Sequence, residues 1–190
     1  MEQNLYYMMH STHDHKTELI KTLSSLSEQH TGILRRKPPG EERWSPIMAL
    51  EHIVLVERSL LAGLPEPENM LSHRRTLANR LSYAITSYVF NLHLLLPVPE
   101  IALYPTGALD LQEVTSMWDE NHKWLRSFIT EAPRDCLTNY YFYHRVAGPL
   151  NIEQAMSLNL AHIVMHEFQL AQIFMELNVH APQLPYEPST

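Results

Sequence analysis

Where proline falls constrains this chain more than any other feature. The thirteen prolines sit at 38–39, 46, 65–67, 97–105, 133, 149 and 182–188, and between them run long segments whose apolar residues recur every three or four positions. Proline lacks an N–H, and its ring clashes with the preceding helical turn. Proline-free segments with a 3.6-residue period therefore read as helices, and the prolines as their joints. The five glycines are too few for the tight turns of a β-rich chain. A length of 190 residues fits one domain with a buried core. That domain is expected to span 1–190, with a helical core over about 12–177 and an irregular tail over 178–190.

Five helices are legible. The first is expected from about Thr12 to Leu26, with Leu19, Leu23 and Leu26 on one face. The second opens at Trp44-Ser45-Pro46 and ends at Ala62 before Gly63. Ser45 can cap the free amides there, and Pro46 suits the first helical position. The third covers roughly His73 to Leu95. The fourth follows a capping box, Asp110 with Glu113, and carries Val114, Met117, Trp118, Leu125 and Phe128. The fifth follows Asn151 with Gln154 and runs to about Leu177. The aromatic segment Thr138–Val146 reads as a loop or short strand packed on the helices.

The chemistry lies in the fifth helix. Taken at 4-3-4-3 spacing, its seam reads Ala155, Asn159, His162, His166, Gln169, Ile173. A helix seam ordinarily holds Leu, Ile or Val, yet four consecutive positions here are polar. Each buried polar group costs about 1–3 kcal/mol unless it finds a partner. One ion satisfies two imidazoles one turn apart, which is the relation of His162 to His166. The second helix offers a third imidazole on the row Met48, His52, Leu55, Ser59, Ala62. His52, His162 and His166 then form a three-histidine metal set with open positions, and Asn159 and Gln169 flank it as outer-shell or substrate-facing groups.

The bland alternative is a set of core histidines bonded to carbonyls; the pair, the third ring and the polar seam together favour metal. His10, His13 and His15 read as solvated, and His73, His93, His122 and His180 lack a ligand-spaced partner. His144, before the Gly148-Pro149 turn, is a further residue that can line the site. Glu51 and Glu57 fall off the seam, which leaves the histidines without an evident base.

Other classes are excluded. A net charge of −7, with no basic cluster larger than Arg35-Arg36-Lys37, does not suit a nucleic-acid binder, which needs a basic face to neutralise phosphates. The most apolar stretch, Ala84 to Val98, contains Asn91 and His93 and is shorter than the ~20 residues of a membrane span. A lone cysteine, Cys136, forms no internal disulfide, which suits the cytoplasm. His162-Ile-Val-Met-His166 lacks the glutamate of zinc peptidases, and the Glu-x-x-His pairs of di-iron bundles are missing.

Three stretches resemble the DinB-like (damage-inducible B) superfamily, described together with the YfiT-type metal-dependent hydrolases. They are Trp44-Ser45-Pro46 with Leu50-Glu51-His52-Ile53, then His144-Arg145-Val146-Ala147-Gly148-Pro149-Leu150, then His162-x-x-x-His166-x-x-Gln169-Leu170. Their order covers roughly 15–177; Arg145 stands where the family usually has proline. The resemblance implies an all-α four-helix bundle whose crossover connection contains the additional helix at 73–95. It also implies nickel or zinc on His52, His162 and His166, and homodimers. Thiol-dependent transferases and isomerases occur among its members. The leading expectation is thus a metal-dependent enzyme, a transferase, isomerase or hydrolase, acting on a small molecule with a low-molecular-weight thiol as candidate. The alternatives are a non-catalytic metal- or ligand-binding module, and a metal-free bundle with a hydrated seam.

Overall fold

The structure, a computed structural model, describes residues 2–64, 76–94, 101–132, 137, 142–144 and 147–180. Over those residues it is mostly helical: α1 (Glu2–Gln29), α2 (Pro46–Ala62), α3 (Leu77–Asn91), α4 (Leu111–Glu131) and α5 (Ile152–Glu176). A two-stranded antiparallel hairpin, β1 (Phe142–His144) and β2 (Gly148–Leu150), precedes α5 and pairs Tyr143 with Pro149. The strand takes up part of the aromatic segment 138–146; 138–141 and 145–146 lie outside the described residues. So do 73–75 and 95, the expected ends of the third helix, and 181–190 of the expected tail.

Local chemistry sets most helix starts. Asp110 with Glu113, and Asn151 with Gln154, form reciprocal capping boxes at α4 and α5 as expected. Thr76 and Asn79 do the same for α3. Ser45 stands at the cap of α2, but its hydroxyl accepts no bond from the first-turn amides. Pro46 at the first helical position sets that start.

The first helix begins well before Thr12. Leu5 and Met9 extend the row Thr12, Lys16, Leu19, Leu23, Leu26 at 4-3-4-3 spacing, and all seven are buried. The polar Thr12 and Lys16 interrupt the apolar period, which made the start look later than it is.

Helix α2 packs against α4 and α5, α1 against α4 and α5, and α3 against α5 and β2. The buried row of α2 is Ile47, Leu50, Val54, Glu57 and Leu61, rotated from the expected Met48, His52, Leu55, Ser59, Ala62. Ser59 and Ala62 are exposed. The two rows were indistinguishable by period because α2 is buried all round from Pro46 to Val54.

A polar layer divides the hydrophobic core in two. On one side lie Leu19, Leu23, Leu26, Leu50, Val54, Val114, Trp118, Leu170 and Phe174. On the other lie Leu5, Met9, Leu61, Ile129, Leu150, Ile152 and Leu158. Between them each of four helices contributes one group. Lys16 Nζ from α1 meets Glu57 Oε1 of α2 at 2.5 Å. Asn121 of α4 donates to Glu57 Oε2 at 3.0 Å, and Asn159 of α5 donates to Oε1 at 2.8 Å. Lys16 and Glu57 are each 4 % exposed.

Candidate metal centre

One turn beyond Asn159, α5 presents His162 and His166, and α2 presents His52 toward them. The three are buried, and one donor atom from each lies within 4.8 Å of the other two. Ring centroids are 5.3 Å apart for His52–His162, 5.0 Å for His52–His166 and 4.6 Å for His162–His166, with interplanar angles of 63°, 70° and 85°. The rings meet edge to face, at steep angles.

Hydrogen bonds on the outer nitrogens set where the inner ones point. His52 Nδ1–H donates to the Leu103 carbonyl at 2.7 Å, which leaves Nε2 as a bare lone pair. His166 Nδ1–H donates to Gln169 Oε1 at 2.7 Å, which does the same for its Nε2. His162 Nε2 lies 3.1 Å from His166 Nε2, and its Nδ1 is buried without a partner. Two imidazoles sharing one ion at ~2.0–2.1 Å each stand about 3 Å apart when their bonds to it make a right angle. The observed separation fits that span: His162 Nε2–H now donates to His166 Nε2, and an ion would take the place of that proton.

Burial also holds the rings in the ligating, neutral form. Desolvation pushes the His52 pKa down, partly offset by the bond to Leu103. It pushes His162 well below its ordinary value, with His166, His52 and His144 adding repulsion. For His166 burial, then His52, brings the value to about 3, against a small opposing effect of Gln169.

The loop that follows Leu103 is held by a residue the sequence seemed to leave idle. Glu51 is buried; its Oε1 accepts from the Thr106 hydroxyl at 2.8 Å and its Oε2 from the Gly107 amide at 2.6 Å. Arg35 grips the same loop through the Gly107 carbonyl at 2.6 Å. Gly107 has φ +75, and a Cβ there would sit 3.2 Å from Met48 Cγ, so the turn requires glycine. Glu51 thus anchors the loop that orients His52. Aromatic walls complete the surroundings. Trp44 stacks near His166, with centroids 6.1 Å apart and planes at 16°, and lies 5.1 Å from His52. Phe90 is 5.5 Å from His162, and Tyr104 meets the edge of Trp44 at 5.8 Å.

The structure therefore brings together His52, His162, His166 and Gln169. It places Asn159 elsewhere: its amide donates to Glu57 in the polar layer. Both glutamates of α2 are buried, and they are tied to the loop and to Lys16. Glu167 points off the seam as expected, but toward α1, where His15 Nε2 is 3.0 Å from its Oε1 without hydrogen-bond alignment. His15 is accordingly half-buried, not solvated. His144 accepts the Ala147 amide on Nδ1 at 3.0 Å and lies near enough to lower the His162 pKa.

Among the described residues no helix is long and apolar enough to cross a membrane. No curated protein and no solved structure matches the chain. Residues 12–170 match the DinB superfamily. With three histidines placed to hold one ion and a match over most of its length, the chain belongs to the DinB superfamily.

Proposed function

We propose that this protein is a mononuclear metal protein with the DinB four-helix bundle: α1, α2, α4 and α5 form the bundle, and α3 lies in the crossover. One divalent transition ion, nickel or zinc, is held by His52, His162 and His166. The observation that carries this is the buried trio itself, with two of its rings turned inward by bonds to Leu103 and Gln169. Such an ion supplies Lewis acidity to a bound substrate, or lowers the pKa of a bound water or thiol. The chain's own contribution is positioning. Glu51 fixes the loop behind His52, Gln169 fixes His166, and Trp44, Phe90 and Tyr104 keep the surroundings apolar.

The reaction class we favour is thiol-dependent transfer, isomerisation or hydrolysis of a small molecule in the cytoplasm. A non-catalytic metal-binding module is the second reading. It is favoured by the engagement of Glu51 and Glu57 elsewhere, which leaves neither as a base beside the trio.

The test begins with metal content. Purified without a histidine tag, the protein is expected to carry close to one nickel or zinc per chain by elemental analysis. His162→Ala should lose most of it, because two imidazoles rarely suffice for tight binding. Wild type that takes up neither metal at micromolar levels sinks the proposal. A thiol-transfer and hydrolase screen of the loaded protein then separates the two readings.

We further propose that the protein is a homodimer through α3. Leu77, Leu81, Ile85, Tyr88 and Leu92 are 48–83 % exposed and recur at helical spacing along a stripe ~22 Å long. Arg80 is the lone charged side chain of α3. A second copy packed antiparallel would bring Arg80 to the partner's helix C-terminus, where a cation is favoured. An unbroken apolar face of this kind ordinarily marks an interface. Leu81→Arg/Ile85→Arg should halve the mass measured by light scattering; a wild-type monomer at tens of micromolar excludes the dimer.

A further inference from the structure

A second group of imidazoles gathers where α1 meets α4, apart from the centre described above. His10 and His13, three residues apart on α1, share a face of that helix. His122 of α4 reaches them. Its ring stacks on His13 with centroids 4.0 Å apart and planes at 21°, and lies 5.9 Å from His10 at 56°. Periodicity within α4 could not reveal this group, because His122 stands more than 100 residues from His10 and His13 in sequence.

Among the described residues none of the three rings makes a hydrogen bond or ion pair, and the exposed His10 and half-buried His13 and His122 remain within reach of solvent. The neighbourhood of His122 disfavours a proton on its ring. Burial, then His13, Lys16 and His10, lowers the His122 pKa to about 4, against a smaller opposing effect of Glu57. A neutral imidazole keeps a lone pair free, and imidazole is a donor suited to zinc, copper and nickel.

We propose that His10, His13 and His122 form a second, surface site for a divalent transition ion. The donor plan repeats that of the buried centre, with two rings from one helix and a third from its packed neighbour. Stacked rings do not share an ion as they stand. The ion is taken up by rotation of the His10 and His13 side chains, a nanosecond motion at the surface. The site is weaker than the buried one. Water competes for it, the rings are not preset by outer hydrogen bonds, and the Lys16 ammonium lies near. A bound ion links α1 to α4 and stabilises the fold in proportion to its occupancy.

The test is calorimetric titration of zinc into the metal-free, untagged full chain. Wild type is expected to bind two equivalents, one tight and one weak. His13→Ala/His122→Ala should lose the weak one and keep the tight one. His52→Leu/His162→Ala should do the reverse, and zinc should still raise its melting temperature. His10→Ala, at an exposed position that cannot harm the fold, should weaken the second equivalent alone. A tight equivalent alone in wild type, or a weak equivalent that survives loss of His13 and His122, overturns the proposal. A weak equivalent without a tight one upholds this site and refutes the buried centre, so the two fail separately.

Discussion

Lys16→Met is expected to destabilise the protein by about 3–5 kcal/mol, the usual cost of removing one partner from a buried ion pair. The variant keeps the volume of the lysine stem but leaves the Glu57 carboxylate, 4 % exposed, without a cation. Asn121 and Asn159 still donate to it, which places the cost toward the lower end of that range. At 2–4 °C per kcal/mol for a chain of this size, the melting temperature should fall by about 6–20 °C. Adding Glu57→Gln removes the stranded charge and retains an amide oxygen for the asparagines, so the double variant should recover most of the loss. A Lys16→Met protein that melts within ~2 °C of wild type would mean that water reaches Glu57 and the polar layer is not dry.

That ion pair also shows where reading the sequence stops. Features made by residues three or four apart were legible. The capping boxes at Asp110 and Asn151 start α4 and α5 as expected, and His162 and His166 lie on one buried face. His52 was legible because it stands at helical spacing on the row with Met48 and Leu55. Lys16 was not, since its partner lies 41 residues away on another helix. Taken alone it resembles a surface lysine within the expected first helix. Glu51 was misread for the same reason: its partners Thr106 and Gly107 are 55 and 56 residues away, in a loop without periodicity. Asn159 shows the converse error. Its place on the seam suggested the metal centre, but the nearest strong acceptor one turn down is Glu57, and a carboxylate outcompetes an imidazole for an amide N–H.

Metal-free protein should lose stability as the pH falls below about 6.5, and His166 sets one part of that loss. Its folded pKa is about 3 against 6.5 for an unperturbed ring. Between those values the unfolded state binds the proton and the folded state does not, so stability rises with pH across the window. The contribution is fully present above 6.5 and is lost as the pH drops toward 3. At pH 5 the loss from this one ring is about 2 kcal/mol. His52 and His162, both lowered by burial, act in the same direction. A bound ion excludes protons from the same lone pairs, so zinc should flatten the profile. His52→Leu isolates the effect. It should abolish stoichiometric binding at the buried centre while the helices persist, since leucine suits a buried position on a helix packed in the core. It leaves the Leu103 carbonyl without its donor, at a cost of about 1 kcal/mol. It also removes one of the acid-titrating rings and its repulsion on the other two. Denaturant unfolding of the metal-free proteins at pH 7.5, 6 and 5 should therefore show a smaller acid loss in His52→Leu than in wild type. Equal losses would place His52 outside the buried cluster. Tight zinc binding that survives the substitution would remove it from the ligand set.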